Sequence, residues 1–135
     1  MSEGKSSVWK DFDKNEVTHS VTHYLFAIDS LIKDNWYARA VDIAKKLDIT
    51  PGSCSTWLKW LLKKWLAVED DNKFLRLSSH GSEIVEKIAK TRNVFETFFT
   101  KKLWASSRLA KSNACKIEHL IDEEITDLLS TYLDH

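Results

Sequence analysis

The chain has 135 residues, 43% of them hydrophobic and 30% charged, with twenty basic residues against twenty acidic ones. Zero formal charge argues against a non-specific nucleic-acid binder, and no apolar run approaches the ~20 residues of a membrane span. One proline and three glycines favour helices over turns, the first sixteen residues carry no secretory h-region, and two distant cysteines, Cys54 and Cys115, make no disulfide framework, so a cytoplasmic protein of one domain or two small ones is expected.

Residues 1–12 read as a loose arm. From about Asn15 to Lys33, Val17, Val21, Tyr24, Leu25, Ile28, Leu31 and Ile32 recur at helical period. A short second helix is expected around Arg39–Leu47, with Val41, Ile43, Ala44 and Leu47 apolar. Thr50 is a good N-cap and Pro51 suits the first helical position, so a third helix begins there and runs to about Trp65, burying Cys54, Leu58, Leu61 and Leu62. Between Lys33 and Trp65, seven basic residues face three acidic ones, which suits an anionic partner.

The runs Leu66–Val68 and Phe74–Leu77 flank the polar Glu69–Lys73, the pattern of a β-hairpin. A long helix over roughly Ser79–Leu103 follows, with Ile84, Ile88, Val94, Phe95, Phe98 and Phe99 inward, then two helices at about Ser107–Ile117 and Asp122–Leu133. Helix, short helix, tight turn, helix, hairpin is the winged helix-turn-helix order, in which the third helix enters the groove of DNA. The predicted fold is therefore mostly α: a winged helix-turn-helix DNA reader over residues 1–78 and a helical dimerisation and sensing unit over 79–135.

Chemistry concentrates in Cys115, Glu118 and His119, spaced i, i+3, i+4, which one helix face can present together. Thiol, carboxylate and imidazole all ligate late first-row divalent metals. His19 and His23 form a second i, i+4 pair. Neither group closes a metal shell alone, and together they would if the fold joins them. A Cys115–His119 nucleophile and base would need an oxyanion site and an orienting group that nothing in the chain supplies, so no enzyme is expected.

Three stretches resemble the diphtheria toxin repressor family of iron- and manganese-dependent transcriptional regulators: Tyr37–Leu47 its second helix, Leu77-Ser78-Ser79-His80-Gly81 the entry to its long helix, and Asn113–His119 its cysteine-bearing metal segment. The length is similar to the short, manganese-type architecture. The resemblance implies a metal-dependent repressor of metal homeostasis, a homodimer binding a double-stranded DNA operator. It implies metal ligands at Cys115, Glu118, His119 and His23, the last where the family carries Met or Asp, with His19 as a further ligand or supporting partner. It also implies that a second metal site is eroded: its histidines fall on Arg92 and Lys111, while its glutamate survives as Glu96. Arg92 and Glu96, at i, i+4, can form an ion pair, and Arg92 and Lys111 are expected to stand in for the missing ion, leaving one regulatory metal per chain.

The mixed soft and borderline donors suit Fe²⁺, Zn²⁺, Co²⁺ or Ni²⁺ better than Mn²⁺, and the resemblance implies Fe²⁺ first, with Mn²⁺ or Zn²⁺ behind. On the DNA side, Thr50, Gly52, Ser53, Ser55, Thr56 and Lys59 occupy the early turns of the third helix, and Lys63, Lys64 and the wing residue Lys73 are phosphate candidates. Trp65 replaces the glycine that ends this helix in the family, and Trp57 and Trp65 are expected to pack in the core or against the wing. The rival reading is a winged-helix regulator or protein-interaction module that no longer senses metal.

Overall fold

A computed structural model describes residues 18–135, so the expected arm and Val17 lie outside the described residues. In order, they form α1 (His19–Asn35), α2 (Ala40–Leu47), α3 (Pro51–Lys63), β1 (Ala67–Glu69), β2 (Leu75–Leu77), α4 (Ser79–Lys101), α5 (Ser107–Ile117) and α6 (Glu123–Leu133). They divide into two compact units, His19–Lys87 and Ile88–His135, with Thr18 grouped with the second; the division falls inside α4.

The first unit is built as the apolar period requires. Val21, Tyr24, Leu25, Ile28 and Leu31 of α1, Ile43 and Ala44 of α2, and Cys54, Leu58 and Leu61 of α3 are all buried. Asp48 ends α2 in the left-handed conformation, φ 54°, while its N–H reaches the carbonyl of Lys45 and that of Ile49 reaches Ala44. Thr50 then starts α3, its hydroxyl accepting from the Ser53 N–H at 3.2 Å. This is the tight turn between the two helices of the helix-turn-helix.

The wing is an antiparallel hairpin pairing Ala67 with Leu77, Val68 with Arg76 and Glu69 with Leu75. Asp70 shapes its turn, one carboxylate oxygen accepting from the N–H groups of Asn72 and Phe74. An antiparallel bridge from Ala38 to Leu75 ties the hairpin to the loop after α1. Gly81, in the first turn of α4, lies against the Leu66 carbonyl so closely that an added Cβ would sit 2.0 Å from its oxygen. Only glycine permits that approach.

Trp57 is half-buried and stacked on Tyr24, ring centroids 5.7 Å apart, which matches the expected packing. Trp65 departs from it: the residue is 74% exposed. Its φ is 60°, and the N–H groups of Trp65 and Leu66 close the end of α3 onto Leu62 and Leu61. A left-handed turn is needed there, and tryptophan adopts it at a steric cost glycine avoids. Trp65→Gly is therefore expected to stabilise the first unit by about 1 kcal/mol, read as a raised midpoint of urea unfolding. A lowered midpoint would mean that the indole packs usefully.

In the second unit, Ala110 and Ala114 of α5 are fully buried, and Thr91 of α4 hydrogen-bonds Thr126 of α6 at 3.1 Å in the interior. Ser106 caps α5, accepting from the Leu109 N–H. Phe95, Phe98 and Phe99 are half-buried rather than fully inward. Leu103, Trp104, Leu109, Ile125, Leu128 and Tyr132 are exposed, Leu128 at 68%.

Candidate metal centre

The sequence-derived ligands fall in both units: His19 and His23 on α1 of the first, and Cys115, Glu118 and His119 at the end of α5 and the turn after it in the second. On α1 both imidazoles are exposed, and their Nε2 atoms approach to 2.9 Å with the rings edge-on. One Nε2 donates and the other accepts. With both nitrogens deprotonated, the pair would aim two lone pairs at a shared cation, compatible with the ~2.0–2.1 Å bonds imidazole makes to zinc.

In the second unit α5 ends at Ile117, and Glu118 continues in right-handed helical geometry, so Cys115 and Glu118 keep their i, i+3 relation. Cys115 and His119 are half-buried. Burial foremost, then the nearby Glu118 carboxylate, pushes the Cys115 thiol above its ordinary pKa, with Arg92 opposing. As donor types, the two imidazoles of the first unit and, separately, the thiol and imidazole of the second each suit a borderline divalent metal, the thiol once deprotonated.

Glu118 behaves differently. It is 2% exposed, and Arg92 of α4 holds both of its oxygens: Nε donates to Oε2, and a terminal N–H donates to Oε1 at 2.8 Å. The Glu118 carboxylate raises the Arg92 pKa still further, with smaller contributions from Cys115 and Glu96. This corrects the expected i, i+4 pairing of Arg92 with Glu96. The pair spans α4 to the end of α5, a tertiary contact that helical spacing cannot reveal. Glu96 is half-buried and contributes charge only at longer range, while Lys111 is exposed.

On the first unit, Thr50, Gly52, Ser53, Ser55, Thr56, Lys59, Lys63, Lys64 and Lys73 are all exposed. Thr56 is partly committed, its hydroxyl donating to the Gly52 carbonyl at 3.1 Å. Lys64 lies over the Trp60 ring, 5.7 Å from its centroid. The remaining polar groups of α3 face outward from a rigid helix, as a groove-reading element requires.

Comparisons with known proteins agree with this architecture. Residues 78–135 match the family described as "Iron dependent repressor, metal binding and dimerisation domain". The chain is 25% identical over 119 residues to an uncharacterized HTH-type transcriptional regulator of Methanocaldococcus jannaschii, covering 87% of this chain and 95% of that one. Its fold is similar to that of a hypothetical protein of Sulfolobus solfataricus, with a TM-score of 0.74, 24% identity and coverage of 87% and 89%. It is also similar to the metal-dependent transcriptional regulator MtsR, with a TM-score of 0.75, 20% identity and 87% of this chain covered, though only 54% of MtsR. The named relatives are transcriptional regulators rather than enzymes. With the winged-helix order and the Cys115–His119 segment, residues 78–135 match the metal-binding and dimerisation domain of the iron-dependent repressors, and the fold is similar to that of a solved metal-dependent transcriptional regulator.

Proposed function

We propose that this protein is a cytoplasmic homodimeric repressor whose binding to operator DNA is promoted by a divalent transition metal, Fe²⁺ foremost and Mn²⁺ or Zn²⁺ as alternatives. Cys115 and His119 would hold the metal with His23, and His19 beside it. The observation that carries the reading is the convergence of the two α1 imidazoles in a chain that also bears the Cys115–His119 segment. Residues 1–78 would serve as the DNA-binding half and 79–135 as the metal-binding and dimerisation half. The exposed apolar groups Leu103, Trp104, Leu109, Leu128 and Tyr132 support a second copy as the partner of that half.

Cross-linking α1 to the segment after α5 would restrict the two recognition helices of a dimer to one spacing. Operator affinity then rises by as much as the metal prefers that arrangement. On the DNA side, Ser53, Ser55 and Thr56, with Thr50 and Gly52 at the helix start, are the base-edge or phosphate contacts, and Lys59, Lys63 and Lys73 the phosphate anchors. Lys59→Ala and Lys63→Ala are expected to weaken DNA binding about equally on every sequence, each lowering the salt slope by about one. A fluorescence-anisotropy titration across salt concentrations reads that directly.

Anaerobic calorimetric titration of the metal-free protein with Fe²⁺, Mn²⁺ and Zn²⁺, wild type beside Cys115→Ala, tests the reading. The expected result is one tight site per chain, lost in the variant. No binding, or binding indifferent to Cys115, would favour a regulator that has lost metal sensing.

A further inference from the structure

The Glu118 side chain is fully enclosed, while the Arg92 side chain that grips it is one-third exposed. The guanidinium engages both carboxylate oxygens at once. Cys115 and Glu96 lie within its electrostatic reach, so one fixed cation sits near two carboxyl groups and a thiol. That donor group would otherwise suit a divalent ion. Arginine cannot vacate it by losing a proton, and its planar fork matches a carboxylate better than a lysine would. An incoming metal that took Glu118 would first have to break both charge-assisted hydrogen bonds of that bidentate grip.

We infer that Arg92 is a resident cation that reserves Glu118 and keeps it out of the regulatory metal's shell, biasing that shell toward nitrogen and sulfur donors. The inference rests on the metal-binding reading above and concerns specificity within it. Nitrogen and thiolate donors favour Fe²⁺, Co²⁺ or Zn²⁺, whereas a carboxylate oxygen is what Mn²⁺ would gain most from. Arg92 would thus act as a specificity-determining residue without touching the metal.

The test is a titration of the full chain with Co²⁺ and, separately, Mn²⁺, in wild type, Glu118→Gln, Arg92→Gln and the double variant. Cobalt binding is followed by its thiolate charge-transfer band and free Mn²⁺ by electron paramagnetic resonance. Glu118→Gln alone should leave Co²⁺ affinity within about threefold of wild type. Arg92→Gln, which keeps a donor for the carboxylate but removes the charge, should raise Mn²⁺ affinity about tenfold or more, the size of effect such supporting groups have at metal sites. Adding Glu118→Gln should abolish that gain. A tenfold loss of Co²⁺ affinity in Glu118→Gln, or no Mn²⁺ gain in Arg92→Gln, would overturn the inference. Absence of Co²⁺ binding in wild type would instead overturn the metal-sensing reading, and the Mn²⁺ arm would still decide the role of Arg92. Should Arg92→Gln not fold, the Glu118→Gln arm decides alone.

Discussion

Gly81→Ala is expected to cost the first unit at least about 3 kcal/mol, the upper part of the range for forcing extra volume into a packed site. The added methyl would meet the Leu66 carbonyl oxygen at 2.0 Å, a backbone atom that cannot swing away. That same oxygen accepts the Ser78 N–H at 3.1 Å, and the Ser78 hydroxyl donates to the Trp65 carbonyl at 2.6 Å. Relieving the clash would pull the start of α4 off the wing, breaking both bonds and straining the Ala67–Leu77 pair beside them. Against the ~5–15 kcal/mol that holds a typical domain together, such a loss is severe. Urea unfolding should show a much lower midpoint, with the neighbouring Ser82→Ala close to wild type. A Gly81→Ala midpoint within about 1 kcal/mol of wild type would mean that α4 can shift at little cost.

Arg92→Met should destabilise the second unit by about 3 kcal/mol, because it strands an enclosed carboxylate. That figure is taken from the low end of the range for broken buried pairs, since the guanidinium keeps contact with water. Glu118→Met should cost less, because Arg92 can turn its head toward solvent. In the double variant nothing charged remains buried at the pair, so its loss of stability should fall short of the sum of the two single losses, by a coupling of roughly 1–3 kcal/mol. Denaturant unfolding in chelator measures all three without involving any metal. Strict additivity would show that the two residues do not depend on one another.

Much of this architecture was legible before any coordinates. Thr50 and Pro51 marked the start of α3 and Ser107–Ile117 its helix to the residue, because caps and apolar periods are local properties of sequence. The hairpin was equally plain from two apolar runs around Glu69–Lys73, though Glu69 itself closes β1. What escaped was tertiary or conformational. Arg92 lies one helical turn from Glu96 but folds onto Glu118, twenty-six positions away, and no spacing rule chooses between two carboxylates. Trp65 was expected to pack because large aromatics are usually buried. The helix end required a left-handed residue, and that need places the indole in water. The glycine that the resemblance implies at this position was the available signal, because a left-handed helix end favours glycine. The ligand set was legible as chemistry, but not the competition within it.

The same left-handed geometry recurs at Trp36 and Trp104, with φ 74° and 60°, so among the described residues three helix ends each carry a tryptophan, 92%, 74% and 87% exposed in chain order. Two stand on the first unit and one on the second. The chain thereby contains its own optical labels. Their emission should be red-shifted and open to iodide quenching, unlike that of the half-buried Trp57 and Trp60. Phenylalanine replacements taken one at a time would separate the contributions. Shielding of Trp104 would then report association of the second unit, and shielding of Trp36 or Trp65 engagement of the first, in one cuvette and without an added dye.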